Sequence, residues 1–174
     1  AVVTNVSADL INFDHINLIG ESMFEVLVYM FENYVEANIK PDHNTLAQEL
    51  FEAGFDSNDI NGAFEWFNSL ETMADATGKE TFPDSFATRI YSAEETNKID
   101  IEGLSFLMFL KQSNILNSAL HEVILDRAMA LPQEEVGIDE IRWTVLMALR
   151  KLGRTQDFLF AEDAMFSDEA PTFH

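Results

Sequence analysis

Residues 46–70 read LAQELFEAGFDSNDINGAFEWFNSL, and their apolar spacing decides the fold class. Leu46, Ala47, Leu50 and Phe51 recur at the three- and four-residue steps of one helix face. After Gly54 a new register begins with Ile60, Ala63, Phe64, Phe67 and Leu70. The intervening residues are those two helices need. Gly54 supplies the left-handed residue that ends the first helix, Phe55 tucks back, and Asp56 or Ser57 offers an oxygen to the orphan amides of the second. A helix-turn-helix-like pair is expected. Upstream, Phe24, Leu27, Val28, Phe31, Tyr34 and Val35 share one side, with Glu25, Glu32, Asn33 and Glu36 opposite. This is an amphipathic helix that stops before Pro41, and Asp42 or Asn44 caps the next. Residues 23–71 therefore form a three-helix N-terminal lobe.

Between residues 72 and 88 the periodicity fails, and Thr77-Gly78-Lys79 and Pro83-Asp84-Ser85 read as a linker. Ser92-Ala93-Glu94-Glu95 has capping-box spacing and starts a short helix. Leu104 to Leu110 is apolar except for Ser105, which predicts a helix surrounded by the others. Asn117 or Ser118 starts the next helix, with Leu120, Val123, Ile124 and Met129, and Pro132 closes the region. Asp139 is expected to cap a last long helix with Ile141, Val145, Leu149 and Leu152 inward, and Gly153 ends it. Residues 89–153 make a C-terminal helical lobe, and 154–174 an amphipathic acidic tail. No strand alternation stands out. The expectation is an all-α protein of two small helical lobes joined by a linker.

The 174 residues carry 31 acidic and 10 basic side chains, a formal net charge of −21, and 47% of them are hydrophobic. Such a chain can bury a core. The charge is unevenly placed: 16 acids fall in residues 1–88, where the only basic residues are Lys40 and Lys79, whereas 89–154 holds 10 acids and 8 bases. One half presents a negative field and the other does not. Cysteine is absent, which removes disulfides, thiolate nucleophiles and thiolate metal sites. No Lys or Arg precedes Lys40, and Asn12, Asp14, His15 and Asn17 interrupt the early apolar residues. That pattern does not fit a secretory signal, and no apolar run approaches membrane-span length. The cytoplasm is the expected compartment.

Motifs with chemical content fail one by one. His121-Glu122 would open a zinc-protease helix, but the second His belongs at 125, which is Leu. Asp56 to Gly62 is loosely like a calcium loop, yet Ile60 stands where an oxygen ligand belongs and the glycine is one place late. His15, His43, His121 and His174 share no neighbourhood in the sequence, and the adjacent pairs Glu94/Glu95 and Glu134/Glu135 point about 100° apart on a helix. There is no phosphate-binding loop, nucleophile elbow or dinucleotide fingerprint. The expectation is a non-enzymatic protein with no cofactor and no metal.

Several segments resemble a known family. These are MFEVLVYMFENY from Met23, LAQELFEAGF from Leu46, Arg89-Ile-Tyr-Ser-Ala-Glu-Glu, Ile124-Leu-Asp-Arg-Ala-Met-Ala-Leu, and the stretch from Ile138 to Leu149 with the terminal His174. In order and combination they resemble the Smg family of proteobacterial proteins over about Met23 to His174. Residues 1–22 fall outside the pattern, and Met23 is similar to the usual family start. The resemblance implies an all-helical cytosolic protein and brings no established biochemical activity with it. Residues 46–70 are also similar, more weakly, to the three-helix repeats of RecX-type recombination regulators.

Three functions compete. The favoured one is an interaction or regulatory module whose acidic surface (Glu25, Glu32, Glu36, Glu49, Glu52, Asp56, Asp59 and Glu65, with Trp66 as an aromatic anchor) docks on a basic partner. Such a partner fits a nucleic-acid-processing or ribosomal protein. Phe158, Phe160 and Phe166 of the tail are further anchor candidates. The second is direct nucleic-acid binding through the helix pair or through Arg150, Lys151 and Arg154, which as a helix C-terminus also suit the macrodipole. A net charge of −21 and a second helix without Lys or Arg count against it. The third is an enzyme with carboxylates and His assembled from distant positions.

Overall fold

The computed structural model describes residues 22–35, 39–77 and 88–166. Among these residues eight α-helices follow one another: α1 (Met23–Met30), α2 (His43–Glu52), α3 (Ser57–Thr77), α4 (Ala93–Lys98), α5 (Ile101–Gln112), α6 (Ser118–Met129), α7 (Ile138–Lys151) and α8 (Thr155–Phe166). A π-helical turn, Phe31–Val35, prolongs α1. The fold is all-α. Among the described residues the extended pairing is one isolated parallel bridge, Ile99 with Val136.

Most helix ends follow the side chains that the sequence offers. Ser22 and Glu25 form a capping box at α1, and Ser92 and Glu95 do the same at α4. Asp42 accepts from the amides of Asn44 and Thr45, and Asn117 from that of Leu120. Asp56 accepts from Asn58 at the start of α3. Gly54 and Gly153 lie at φ 106° and 72°, where a side chain would be strained, as expected of residues that end α2 and α7. One cap is elsewhere. The N-cap of α7 is Gly137, whose N–H is taken by Glu140 at 2.9 Å, so Asp139 lies inside the first turn and pairs with Arg142 at 3.0 Å instead.

The third helix runs further than its bulky stripe suggests, continuing to Thr77 six residues into the stretch read as linker. Ala74 carries the buried face on from Leu70, with Met73 half-buried beside it. Residues 78–87 lie outside the described part of the chain. The face of α2 is also narrower than its spacing implies. Leu50 is fully buried and Leu46 and Ala47 pack partly, but Phe51 turns outward and is 63% exposed.

Packing joins the two groups of helices. Helix α3 packs against α1, α6 and α7. The buried residues of both groups form one core, running from Leu27 and Leu50 through Ile60, Trp66 and Leu70 to Ile124, Val145 and Leu149. Across the seam, Phe31 meets Trp143 edge-on, with ring centroids 5.8 Å apart. Helix α5 supplies Phe106, Leu107 and Leu110, all fully buried, while Ser105 faces outward. From Leu104 to Leu110 Ser105 alone is exposed, while Ile101 and Glu102 at the start of the helix face solvent. Lys98 closes the end of α6 by donating to the carbonyls of Met129 at 2.8 Å and Leu131 at 2.6 Å.

At Gly103 the backbones of α5 and α7 approach so closely that a β-carbon would stand 2.9 Å from Cγ1 of Ile141. Replacing a helical glycine by alanine ordinarily gains about 1 kcal/mol. Here overpacking against a fully buried isoleucine should cost about 1–3 kcal/mol and reverse the sign. Gly103→Ala is therefore expected to lower the urea midpoint, and a raised midpoint would show that α5 and α7 part easily.

Candidate functional site

The acidic side chains picked out by the sequence divide by what holds them. Glu25 is partly buried and engaged with Ser22, taking its N–H at 3.2 Å. Glu32 is exposed on the π-helical turn. Glu36 lies outside the described residues. On α2, Glu49 accepts the Tyr34 hydroxyl at 2.5 Å, which pushes the phenol up to about 12, first through that hydrogen bond and then through burial. Glu52 accepts from Gln48 at 3.0 Å. Asp56 caps α3, Asp59 lies half-buried in its first turn, and Glu65 stands exposed one turn further. From Asp42 to Thr77 the sequence holds no Lys or Arg, and Glu49 and Glu52 are held by neutral donors. The exposed ring of Phe51 sits in this field.

Trp66 is not part of that surface. It is 4% exposed, and its indole N–H donates to the carbonyl of Arg127 at 2.8 Å, so both its apolar body and its polar tip are used inside the fold. Its displacement from the Phe64/Phe67 stripe reflects the wide buried arc of α3, which also packs against α6. Among the tail aromatics Phe158 is likewise buried, at 3%, whereas Phe160 is 72% exposed. The side chain of Phe166 lies outside the described residues.

The basic candidates at the end of α7 are engaged within the molecule. Lys151 reaches Glu71 at 3.3 Å and Asp75 at 4.0 Å on α3. Arg154 pairs with Asp157 at 2.8 Å and donates to the Ile115 carbonyl at 2.8 Å. Arg150, in the last turn of α7, also has an interaction within the fold. Two of the three cations offered for an anion therefore bridge α7 and its flank to other elements.

A polar cluster that the sequence did not assemble lies between the start of α4 and α6. Arg89 donates to both oxygens of Glu95, at 2.8 and 2.7 Å, and to both of Glu122, at 2.6 and 3.1 Å. Its guanidinium also stands 5.1 Å over the ring of Tyr91. The Tyr91 hydroxyl is 2.9 Å from Nε2 of His121, which is fully buried. Nδ1 of His121 is 3.6 Å from Glu122. Thirty residues separate Tyr91 from His121, so spacing gave no sign of the pair; the capping box at Ser92 and the His121-Glu122 dipeptide were its visible ends. Hydrogen bonds from Arg89 hold Glu95 and Glu122 below the usual carboxylate range, and those two carboxylates keep Arg89 firmly protonated. Burial pushes His121 down and Tyr91 up. Beside the cluster is an open notch of about 300 Å³ lined by Ser92, Glu94, Glu95, Glu122, Leu125, Asp126 and Met129. Arg89 spends its donors on Glu95, Glu122 and the carbonyl of Ile90, so the cluster ties elements together. Among the described residues, no group of three or more His, Asp or Glu is placed to hold a metal ion, and no helix is long and apolar enough to cross a membrane.

Comparison with known proteins places this arrangement. Residues 23–174 match the model of a family described as "Protein of unknown function (DUF494)". The chain is 54% identical to the "Protein Smg homolog" of Methylobacillus flagellatus over 152 residues, covering 87% of this chain and all of that one. It is 39% identical to the homolog from Alkalilimnicola ehrlichii over 158 residues, 88% of this chain and 99% of the other. With "Protein Smg" of Pectobacterium carotovorum it shares 40% identity over 134 residues, 73% of this chain and 83% of that protein. No solved structure matches it.

The buried imidazole sets a pH dependence. His121 is held below its ordinary 6.5 in the folded chain, so as pH falls through 6.5 the unfolded chain takes up a proton that the folded one refuses. Stability should therefore decline from pH 6.5 downward, before the contributions of Glu95 and Glu122 begin to fade below 4.5, where the unfolded chain's carboxylates take up protons first. Urea midpoints taken from about pH 7 to about pH 5 should fall in the parent chain and fall less in His121→Gln. Equal slopes would place the acid-sensitive group elsewhere.

Proposed function

Since the chain belongs to the DUF494 family of unknown function, as its similarity to the Smg proteins also shows, we propose from its own surface that it is a non-enzymatic docking module. Its acidic helical face, α2 with the start of α3, binds a basic protein surface. One observation carries this reading: from Asp42 to Thr77 the sequence holds no Lys or Arg, and among the described residues Glu49 and Glu52 are held by neutral donors. Several carboxylates at the helix seams are paired with cations instead, Glu71 and Asp75 with Lys151, and Glu95 and Glu122 with Arg89. A field left standing on one face steers association with a positive partner and adds orientation to the encounter. Proteins that themselves handle nucleic acid, or belong to the ribosome, have surfaces of that sign.

The same geometry counts against direct nucleic-acid binding. In the helix-turn-helix-like pair, the second helix Ser57–Thr77 contains no Lys or Arg. The counterion-releasing phosphate contacts that dominate such affinity have no cationic side chain there.

Recovery from a native bacterial lysate at low and at raised salt tests the proposal. A basic protein should be retained by the parent chain at low salt, released at raised salt, and lost with Glu49→Gln/Glu52→Gln/Glu65→Gln, whose side chains are exposed and whose amides keep the local hydrogen bonds. Retention of nucleic acid with no basic protein, or retention indifferent to the triple substitution, would overturn it.

A further inference from the structure

The carboxylates explain attraction but not fit, and the outer face of α2 has one feature that charge does not account for. Phe51 is 63% exposed in a helix that is already seated by the fully buried Leu50 with Leu46 and Ala47 beside it. The ring is not what holds α2 in place. Going round the helix outward from Ala47, the side chains met are Phe51, Asn44, Gln48, Glu52, Thr45 and Glu49, so the phenyl ring forms one border of a polar face that carries its carboxylates at the centre and the far border. The two carboxylates are fixed rather than free: Gln48 steadies Glu52 at 3.0 Å, and Tyr34 steadies Glu49 at 2.5 Å. Fixed acceptors lose less freedom when a partner arrives. An aromatic ring beside such acceptors has the composition of an interface anchor surrounded by polar contacts.

Resting on the docking reading above, we infer that Phe51 is the apolar anchor of the acidic face. Its occupant is a basic amphipathic segment, a helix or extended peptide with an apolar side chain that covers the phenyl ring and Lys or Arg side chains that meet Glu52 and Glu49. Charge complementarity selects this occupant. A second copy of the chain would bring another −21 to the same face, and a purely polar cationic segment would leave the ring in water. The lengths match, because α2 spans 10 residues, or about 15 Å at 1.5 Å per residue, close to three turns of a helical peptide.

The test uses the full chain and two synthetic helical peptides of about 14 residues with equal numbers of Lys: one with a Leu stripe, the other with Ser in place of every Leu. Affinities are measured by fluorescence anisotropy at two salt concentrations. The Leu-striped peptide should bind more tightly. Phe51→Ala should weaken it by about tenfold, leave the Ser peptide unchanged and leave the salt dependence as it was. Glu49→Gln/Glu52→Gln should weaken both peptides and flatten their salt dependence. Phe160→Ala, which removes an exposed aromatic from α8, should change neither. Because Phe51 and Phe160 are exposed, thermal melts of these variants should overlay that of the parent chain.

Unchanged binding in Phe51→Ala alongside weakened binding in Glu49→Gln/Glu52→Gln overturns the anchor and leaves the acidic docking face standing. If Phe51→Ala weakens the striped peptide while the carboxylate variant has no effect, the ring contacts an apolar partner and the basic occupant is overturned. No effect from either substitution removes both the anchor and the docking face.

Discussion

The indole of Trp66 donates to the carbonyl of Arg127 across 61 residues of sequence, and most of the architecture is organised around that contact. Helix α3 packs against α1, α6 and α7, so it must bury a wide arc. Ile60, Ala63, Leu70 and Ala74 carry the burial along its length, and Trp66 turns a large ring sideways into the rest of the core. An indole so placed must also find an acceptor for its N–H, since an unmade bond there costs about 1–3 kcal/mol. The Arg127 carbonyl is available because it lies in the last turn of α6, where backbone oxygens have no intrahelical donor. Lys98 serves the next carbonyls in line, those of Met129 and Leu131. The end of α6 is thus closed by two side chains from distant upstream segments, Trp66 of α3 and Lys98 of α4, and in a chain without cysteine such contacts take the place of cross-links.

Placement of charge follows from the same packing. Where two helices approach, cations are spent on carboxylates: Arg89 between α4 and α6, Lys151 between α7 and α3, Arg154 between the start of α8 and the Ile115 turn. With only 10 basic residues against 31 acidic ones, using cations at these seams leaves α2 and the first turns of α3 without any. The negative face is therefore partly a consequence of how the second half of the chain is held together. Exposed pairs of this kind are each worth little, about 0–1 kcal/mol. Arg89 is better placed, since one guanidinium meets both oxygens of two carboxylates while stacking over Tyr91.

Local chemistry was legible in the sequence and long-range pairing was not. Gly54, Gly153, Asp42, Asn117 and the Ser92 box act within a few residues of themselves, so their positions predicted helix ends that the structure repeats. The apolar run from Leu104 to Leu110 likewise announced the buried stretch of α5. Besides the α7 cap, which is Gly137 and not Asp139, three readings went astray for physical reasons. The continuation of α3 to Thr77 is carried by Met73, Ala74 and Thr77, residues too small or too mixed to register as a stripe. Trp66 looked displaced because one narrow stripe was expected of a helix that buries a wide arc. Phe51 looked inward because a wide apolar arc was assumed where Leu46, Ala47 and Leu50 suffice. The union of Arg89, Tyr91, Glu95, His121 and Glu122 depends on how α4 crosses α6, which no spacing within either segment encodes.

These misreadings bear on function in opposite directions. Trp66, the aromatic residue most prominent in sequence, is withdrawn into the core, and Phe51, assigned to the core, is returned to solvent among fixed acids. A phenyl ring left in water forgoes roughly 1.5–3 kcal/mol of burial, which the fold does not recover, since Leu50 already anchors α2. Scattered exposed apolar residues are ordinary on any surface. What separates Phe51 from Ile90, which is exposed at 87%, is its surroundings. Ile90 adjoins Arg89, whose charge is already neutralised by Glu95 and Glu122, whereas Phe51 borders carboxylates that, among the described residues, are held by neutral donors. Uncompensated charge and unburied apolar surface coincide on α2, and a partner that supplies a cation and an apolar side chain together relieves both.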